Sequence, residues 1–240
     1  MTELSSLRTV DAPHGGWQRV VVREVSRATP GTVVLRVEVE HRVAHMPGQR
    51  VVVRLTAADG YQASRSYSIA SAPGDDLIEL CVERVDDGEV STHLVDVVQP
   101  GDEVELRGPV GGWFVWDGRT PALAIGGGTG VVPLVSMLRH ARALGIEDRI
   151  CLVGAGRTLE TLPYAGEIAQ GCSVLALSQQ VSPTGRPAAR LGRDDLLPHL
   201  VGREVFFVCG SARFAEAASQ LLVDLGVAPA RIRIERFGTT

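Results

Sequence analysis

The sequence of 240 residues contains no lysine and no asparagine, so its 24 lysine-or-arginine positions are all arginines. Without lysine, the protein cannot form the Schiff bases of pyridoxal-phosphate or aldolase-type enzymes. A P-loop NTPase is excluded for the same reason, because its phosphate-binding motif requires a lysine. Any anion that this protein binds must therefore be held by arginine, by backbone N–H groups or by hydroxyl groups.

Cysteine is also scarce. The four cysteines lie at positions 81, 151, 172 and 209, too far apart for a CxxC metal motif. Their spacing excludes a plant-type iron–sulfur cluster, which needs closely grouped thiolates, and no metal site is predicted. Scattered cysteines of this kind suit a reducing cytoplasm without a disulfide framework.

Long apolar runs and an excess of positive charge are missing as well. The net charge of −4 argues against nucleic-acid binding through a generally basic surface. Apolar stretches such as residues 121–125 are too short to cross a bilayer. Residues 1–16 form a polar tail without the apolar core of a signal peptide. We therefore expect a cytoplasmic protein with neither a membrane nor a nucleic acid as partner.

Residues 17–117 have the pattern of antiparallel β-structure. Runs rich in valine, leucine and isoleucine alternate with polar residues, and Pro-Gly turns separate them. The predicted strands are 19–25, 33–39, 50–55, 77–85 and 102–107, with one helix at 91–98. Short strands spaced by turns predict a small barrel or sandwich domain.

Residues 118–240 have a different rhythm, because apolar runs now alternate with helical patterns. The predicted strands are 122–125, 149–153, 173–177, 204–209 and 231–234. The predicted helices are 132–144, 159–169, 193–200 and 214–225. Such a series predicts an α/β, Rossmann-like domain with a parallel sheet covered by helices on both faces.

A glycine-rich segment, Gly-Gly-Gly-Thr-Gly-Val-Val-Pro at residues 126–133, joins the first strand and helix of this second domain. Glycines let backbone N–H groups approach a pyrophosphate, and the start of a helix adds positive potential. The candidate phosphate-binding residues are Gly127, Gly128, Thr129 and Gly130. The alternative is a tight strand–helix turn that binds no ligand.

Six motifs occur in order along the chain. They are Arg-Ser-Tyr-Ser-Ile-Ala-Ser at 65–71, Gly-Glu-Val-Ser-Thr at 88–92, Gly-Pro-Val-Gly-Gly-Trp-Phe at 108–114, the glycine-rich segment, Cys-Gly at 209–210 and Glu-Arg-Phe at 235–237. In this set, from about residue 17 onward, the sequence resembles the ferredoxin–NADP reductase superfamily. The resemblance implies a flavin-binding barrel followed by a domain that binds a nicotinamide nucleotide.

The resemblance assigns the first motif to the flavin. It implies that Arg65 bridges the flavin pyrophosphate, that Tyr67 packs against the isoalloxazine, and that Ser68 offers its hydroxyl to flavin N5. In a strand, residues two apart share a face, so Arg65 and Tyr67 are expected on one side and Ser68 on the other. The alternative is a half-buried barrel strand with an arginine at its rim.

The resemblance assigns the flavin phosphates to the second motif. Gly88, Ser91 and Thr92 are expected at the start of the predicted helix 91–98, which favours FAD over FMN. The two hydroxyls can also be explained as helix caps, and the two roles are compatible.

The last two motifs are expected to meet the nicotinamide. The resemblance places Cys209, followed by Gly210, near nicotinamide C4 without making it a nucleophile. It implies that Phe237 covers the flavin face where the nicotinamide stacks, and that Glu235 supplies polarity near the reacting ring. The alternatives are a buried small cysteine and an exposed strand end.

The choice between NADPH and NADH depends on groups near the adenosine ribose. Family members that use NADP often carry a Ser/Thr-Arg pair after the third strand of the second domain, whereas here Ser178 is followed by Gln179. The remaining candidates for a phosphate clamp are Arg157, Arg186 and Arg190, although each could be an ordinary surface residue. We expect NADPH to be preferred, with NADH possible.

The resemblance implies a reductase that moves hydride from NAD(P)H to FAD and then single electrons to a separate ferredoxin, P450 or oxygenase component. Two alternatives stay open. One is a free-standing flavin reductase or diaphorase that serves small acceptors. The other is a flavoprotein with a non-redox or assembly role.

Overall fold

The computed structural model describes residues 16–170 and 173–238, which form two sheets in succession along the chain. The first sheet contains β1 Gln18–Thr29, β2 Thr32–Glu38, β3 Arg50–Thr56, β4 Gln62–Ser68, β5 Ile78–Glu83 and β6 Glu103–Val110, with helix α1 Glu89–Asp96 before β6. The second contains β7 Ala122–Gly127, β8 Ile150–Gly156, β9 Ser173–Leu177, β10 Val205–Ser211 and β11 Ile232–Phe237. Its α-helices are α2 Val132–Leu144, α3 Ala165–Ile168, α4 Arg193–Leu196 and α5 Ala212–Asp224.

The first sheet is antiparallel, with strand order β4-β3-β6-β1-β2-β5. Its two edges meet just after β4, where Ile69 bridges to Leu80 and the Ala70 N–H donates to the Glu79 carbonyl at 2.8 Å. This contact closes the sheet into the predicted barrel. Alternate side chains fill the interior, as the period of two requires, among them Val20, Val22, Val51, Val53 and Leu106.

The second sheet is parallel, with strand order β11-β10-β7-β8-β9. Both of its faces are covered, as β7 illustrates. Ala122 and Ala124 pack with residues of α2 and α3, whereas Leu123 and Ile125 pack with residues of α4 and α5. The predicted fold, a β-barrel followed by a Rossmann-like α/β domain, is confirmed.

Two predicted helices are much shorter than expected, and a proline explains each difference. Of the predicted helix 159–169, only α3 is α-helical, because Pro163 disfavours helical backbone before it and Tyr164 adopts φ of 60°. The predicted helix 193–200 ends as α4 and continues as a 3-10 turn, Leu197–His199, at Pro198.

Strand β4 is not among the strands predicted from apolar runs. Its sequence, Gln-Ala-Ser-Arg-Ser-Tyr-Ser, contains no valine, leucine or isoleucine, and much of the strand is exposed. The pattern of buried aliphatic residues therefore gives no signal there, although the strand carries the flavin motif.

Polar contacts join the two domains. Glu79 of β5 is 3% exposed and accepts hydrogen bonds of 2.8 Å from both Arg139 of α2 and the Tyr164 hydroxyl. Ser136 of α2 donates to the Ser71 carbonyl at 2.7 Å. These contacts fix the orientation of the barrel relative to the α/β domain.

Candidate active site

A cleft of about 1510 Å³ lies between the barrel and the carboxyl ends of the parallel strands. We call it the interdomain cleft. Predicted site residues that line it are Arg65, Tyr67, Ser68, Gly88, Ser91, Gly127, Gly128, Thr129, Arg157, Ser178, Glu235 and Phe237. Open α/β sheets bind ligands at the carboxyl ends of their strands. In this protein, that edge of the sheet faces the flavin motif of the barrel across the cleft.

Five predicted site residues do not line the cleft wall. They are Thr92, Gly130, Arg186, Cys209 and Gly210. Three of them, Gly130, Cys209 and Gly210, are buried next to residues of the wall. Their contacts, described below, show how each supports residues that do face the cleft.

Ser68 and Tyr67 carry buried hydroxyl groups that lack a partner. Ser68 is 6% exposed, and among the described residues neither the Ser68 Oγ nor the Tyr67 hydroxyl oxygen has a hydrogen-bonding neighbour. Burial also raises the pKa of the Tyr67 hydroxyl well above its ordinary value. A buried polar group left unsatisfied costs about 1–3 kcal/mol, so these two atoms are suited to a ligand that bonds to them.

Helix α1 begins two residues earlier than predicted. Gly88 is its N-cap, and Ser91 and Thr92 lie inside the first turn, which contradicts the alternative explanation of their hydroxyls as helix caps. The Ser91 hydroxyl accepts from the Val85 N–H at 3.3 Å and donates to the Gly88 carbonyl at 3.3 Å. Thr92 turns its hydroxyl to the Val85 carbonyl, 3.4 Å away. Ser91 therefore holds the loop before the helix while it faces the cleft.

The glycine-rich turn needs three of its glycines for internal packing. A Cβ atom at Gly126 would lie 2.8 Å from Val131, one at Gly127 would lie 2.6 Å from the Phe214 ring, and one at Gly130 would lie 2.3 Å from the Cys209 carbonyl oxygen. Gly128 differs, because its φ is +57° and nothing lies within 4 Å of its Cβ position. The packing explanation therefore holds for Gly126, Gly127 and Gly130, while Gly128 is open to a ligand.

Cys209 and Glu235 are direct neighbours on β10 and β11. Cys209 is fully buried, and this burial raises the pKa of its thiol, with the Glu235 carboxylate adding to the effect. Burial likewise raises the pKa of Glu235, which Arg50 partly opposes from 3.7 Å across the domain interface. Phe237, two residues later, is half-buried and lines the cleft. The structure thus brings all three to one edge of the sheet.

The arginines considered for the nucleotide phosphate differ in their surroundings. Arg186 is held by Asp195, with its Nη2 donating to a carboxylate oxygen at 2.7 Å, and it also bonds to carbonyls of its own loop. Arg157, Arg190 and Ser178 line the cleft. Arg157 and Arg190, but not Arg186, therefore lie on the wall of the interdomain cleft.

Sequence reasoning missed several residues of this wall. Phe214 of α5 covers Gly127 and Gly210, and Arg213 beside it lines the cleft. Arg50 of β3 reaches Glu235, and Glu83 of β5 accepts from Thr129. The only available signal for the last two was their place at the end or start of a barrel strand, which is too general to identify a site.

Comparison with known proteins shows which proteins the chain is similar to. Residues 19–115 match the family model described as oxidoreductase FAD-binding domain. The chain is 28% identical over 227 residues to the ferredoxin–NAD(P)+ reductase component of the naphthalene 1,2-dioxygenase/salicylate 5-hydroxylase systems of Ralstonia sp, covering 90% of this chain and 67% of that protein. The barrel matches this family of FAD-binding domains, and the chain as a whole is similar to a ferredoxin reductase component. The predicted oxidoreductase of the ferredoxin reductase type is thereby confirmed.

Two further proteins show how much of its relatives the chain covers and which solved structure shares its fold. Flavohemoprotein A of Dictyostelium discoideum is 28% identical over 213 residues, covering 81% of this reductase and 53% of that protein. The chain thus spans about half of one curated relative and two thirds of the other. The FAD/NAD-binding domain of nitric oxide dioxygenase from Vibrio cholerae shares the fold, with a TM-score of 0.82 and 23% identity over 92% of this chain and 98% of that one.

The cleft of this reductase fits FAD. The family's flavin domain coincides with the barrel, and the two unsatisfied hydroxyls of Tyr67 and Ser68 lie where the flavin motif faces the cleft. Within residues 16–170 and 173–238 no group of three or more histidine, cysteine or acidic side chains could hold a metal ion. No described helix is long and apolar enough to span a membrane.

Proposed function

We propose that the protein takes hydride from NAD(P)H and passes electrons one at a time to a separate ferredoxin, P450 or oxygenase component. When bound, FAD supplies the chemistry that converts a two-electron donor into single-electron transfers. The observation that carries the proposal is the position of Ser68, with its unsatisfied buried hydroxyl, in the same cleft as Glu235 and Phe237. The similarity to a reductase component of dioxygenase systems supports the choice of acceptor.

In this proposal the barrel holds FAD. Arg65, exposed at the cleft, binds the pyrophosphate, and Gly88 and Ser91 bind phosphate at the start of α1. Tyr67 would pack against the isoalloxazine, and Ser68 would offer its hydroxyl group to the flavin. Thr92 bonds to the Val85 carbonyl, so we assign it to supporting this loop rather than to direct contact.

The α/β domain holds the nicotinamide nucleotide. Gly128 and Thr129 present the open part of the glycine-rich turn to the pyrophosphate, and Gly127 shapes that turn against Phe214. Arg157 and Arg190, with the Ser178 hydroxyl, bind the 2′-phosphate, which favours NADPH over NADH. Arg186 contributes through Asp195, by holding the loop that presents Arg190.

Residues at the ends of β10 and β11 position the nicotinamide. Cys209, behind the cleft wall, sits beside Gly130 and so fixes the distance between β10 and the glycine-rich turn, while Gly210 lets Phe214 approach. Glu235 places a polar group near the reacting ring, and Arg50 holds its carboxylate. Phe237, which lines the cleft, would cover the flavin face where the nicotinamide is expected to stack.

A colour measurement tests this function. The purified chain with FAD added is expected to be yellow and to bleach when NADPH or NADH is added without oxygen. Cytochrome c reduction that requires an added ferredoxin supports a separate protein acceptor, whereas equal reduction without ferredoxin supports a free-standing flavin reductase or diaphorase. A flavin that neither nucleotide bleaches would leave the non-redox or assembly role.

Location and domain limits are part of the proposal. No disulfide bond joins Cys81, Cys151 and Cys209, the three cysteines among the described residues, which suits the reducing cytoplasm. We place the domain boundary at residues 117 and 118, in the segment between β6 and β7 and just after the end of the matched family domain. The predicted tail, residues 1–16, lies outside the described residues except for Gly16. Cell fractionation and limited proteolysis test these two assignments.

A further inference from the structure

We propose that Glu83 sets the affinity of the interdomain cleft for nicotinamide nucleotide by engaging the Thr129 hydroxyl and keeping a negative charge beside the glycine-rich turn. The nucleotide must compete with this carboxylate to bind. The inference rests on the proposed function, which places the nucleotide pyrophosphate at the same turn.

The contact itself crosses the cleft. Thr129 lies in the 3-10 turn Gly128–Val131, and its hydroxyl donates to the Glu83 Oε2 at 2.7 Å. Glu83 is the last residue of β5 in the barrel, so a barrel carboxylate reaches the turn of the other domain. Both side chains line the cleft. The bond therefore occupies one of the groups that a bound phosphate would use.

A hydroxyl group donates only one hydrogen. A phosphate oxygen that takes this hydrogen must displace the Glu83 carboxylate from Thr129. Gly128, immediately before it, has open space at its Cβ position, whereas Gly126, Gly127 and Gly130 are closely packed. A ligand that reaches the open part of the turn therefore meets Thr129 and its acidic partner.

The charge of Glu83 has no basic partner nearby. Among the described residues, no arginine lies within ion-pair distance of its carboxylate. The adjacent Arg84 pairs instead with Asp86 at 2.9 Å and with Asp96 at 3.0 Å. An incoming pyrophosphate thus brings negative charge toward an uncompensated carboxylate, and like charges at close range repel.

The substitution Glu83→Gln separates charge from hydrogen bonding, because the amide oxygen can still accept from Thr129. The probes are NADP+ and NAD+, titrated by calorimetry into the FAD-loaded full chain at low and at high salt. We expect the Kd for NADP+ to fall by about 3–10-fold at low salt, the size of a like-charge repulsion in a partly exposed site. The gain should shrink at high salt because ions screen the repulsion.

Glu103→Gln is the matched control, since it removes one acidic charge from an exposed barrel strand outside the cleft. We expect it to change the Kd by less than about 2-fold, as for a screened distant charge. Steady-state kinetics of Glu83→Gln should show a lower KM with kcat unchanged, the signature of altered ground-state binding.

Two results would overturn this inference alone. One is that Glu83→Gln binds NADP+ with an unchanged or higher Kd, whether or not its melting temperature is lower. The contact between Glu83 and Thr129 would then be purely structural. Another is an equal gain in Glu103→Gln. If the wild type binds nucleotide and Glu83→Gln binds no better, only this inference fails. If neither protein binds NADP+ or NAD+, the proposed function fails with it.

Discussion

The carboxylate of Glu79, on a barrel strand, accepts a hydrogen bond of 2.8 Å from the guanidinium group of Arg139, on the first helix of the α/β domain. Arg139 also binds the Glu167 carboxylate through two hydrogen bonds of 2.9 and 2.8 Å. Burial alone would raise the pKa of Glu79, yet Arg139, Arg36 and Tyr164 together hold it below its ordinary value. The barrel and the α/β domain are therefore joined by a satisfied, largely buried ionic network.

Removing the charge of Glu79 should destabilise the folded protein. Glu79→Gln leaves Arg139 without its charged partner in the barrel, although its bond to the Ala70 carbonyl remains. Breaking one side of a buried pair costs about 3 kcal/mol. In a chain of this size that corresponds to a fall in Tm of roughly 6–12 °C, measurable by scanning calorimetry. Glu24→Gln is the control, because this exposed partner of Arg36 should cost no more than about 1 kcal/mol. Equal Tm values for the two variants would contradict the prediction.

The contribution of Glu79 should also depend on pH. The pKa of Glu79 is lower in the folded chain than in the unfolded chain, where the ordinary value of 4.5 applies. The stability that Glu79 supplies is therefore fully present above pH 4.5 and is lost as the pH falls through the pKa of the folded chain. The Tm difference between the wild type and Glu79→Gln is therefore expected to be constant above about pH 5.5 and to shrink below pH 4.5. A difference that does not change on acidification would contradict this assignment.

Ser68→Ala should slow flavin reduction with little effect on folding. The Ser68 hydroxyl is buried without a partner among the described residues, so its loss removes no internal hydrogen bond. If it donates to the flavin, losing one hydrogen bond in the reaction should lower the reduction rate by roughly 10-fold. Stopped-flow absorbance with NADPH measures that rate, and Ser64→Ala on the same strand is the control. A rate equal to that of the wild type would remove Ser68 from the mechanism.

Glu235 is expected to lower the stability of the folded protein and to raise its activity. Burial raises the pKa of Glu235, so its carboxylate form is disfavoured in the folded state. The folded protein is therefore more stable below the ordinary pKa of a glutamate, and this stability is lost as the pH rises through the pKa of Glu235 in the folded chain. Glu235→Gln should therefore raise the Tm by roughly 2–4 °C at neutral pH, for about 1 kcal/mol. The same variant should reduce the flavin more slowly. A stabilised variant with full activity would show that Glu235 is not needed near the nicotinamide.

The sequence was sufficient for the two-domain architecture because Pro-Gly turns and the change from strand–strand to strand–helix rhythm are local signals. It failed at Pro163, where a helical pattern runs into a residue that prevents the helix. Apolar runs also missed β4, which only the motif at 65–71 indicated as a strand, because residues of β4 line the interdomain cleft and contribute little to an apolar core. Patterns of apolar residues indicate which side chains are buried against the protein itself. They therefore do not predict a strand whose side chains face a cleft.

Some residues of the candidate site could be predicted from the sequence, whereas the contacts between them could not. Motifs identified Ser68, Thr129 and Glu235, whose positions follow from the order of elements. The partners Glu79–Arg139 and Glu83–Thr129 are 60 and 46 residues apart and cross between domains. Such pairs depend on how the two domains pack together, which no sequence spacing records.

Two glycines of the nucleotide turn should respond differently to alanine. In Gly130→Ala the new Cβ would lie 2.3 Å from the Cys209 carbonyl oxygen, so we expect a large fall in Tm or a failure to fold. In Gly128→Ala nothing lies within 4 Å, and the cost is the left-handed backbone, about 1–2 kcal/mol. Gly128→Ala should nevertheless weaken NADP+ binding, because the added methyl group faces the open part of the turn. Unchanged binding in this folded variant would place the pyrophosphate elsewhere.

Arginine substitutions should separate phosphate recognition from loop structure. Arg157 and Arg190 line the cleft, so Arg157→Ala and Arg190→Ala should each lower the ratio of kcat/KM for NADPH over NADH. The loss of a charged hydrogen bond to the 2′-phosphate corresponds to a change of roughly 10-fold. Arg186→Ala is the control, since this residue pairs with Asp195 and bonds to carbonyls of its own loop. Its loss should lower the Tm and weaken both nucleotides to a similar degree. If Arg186→Ala alone abolishes the preference, the clamp lies in that loop rather than on the cleft wall, and equal wild-type efficiency with NADPH and NADH would rule out a phosphate clamp altogether.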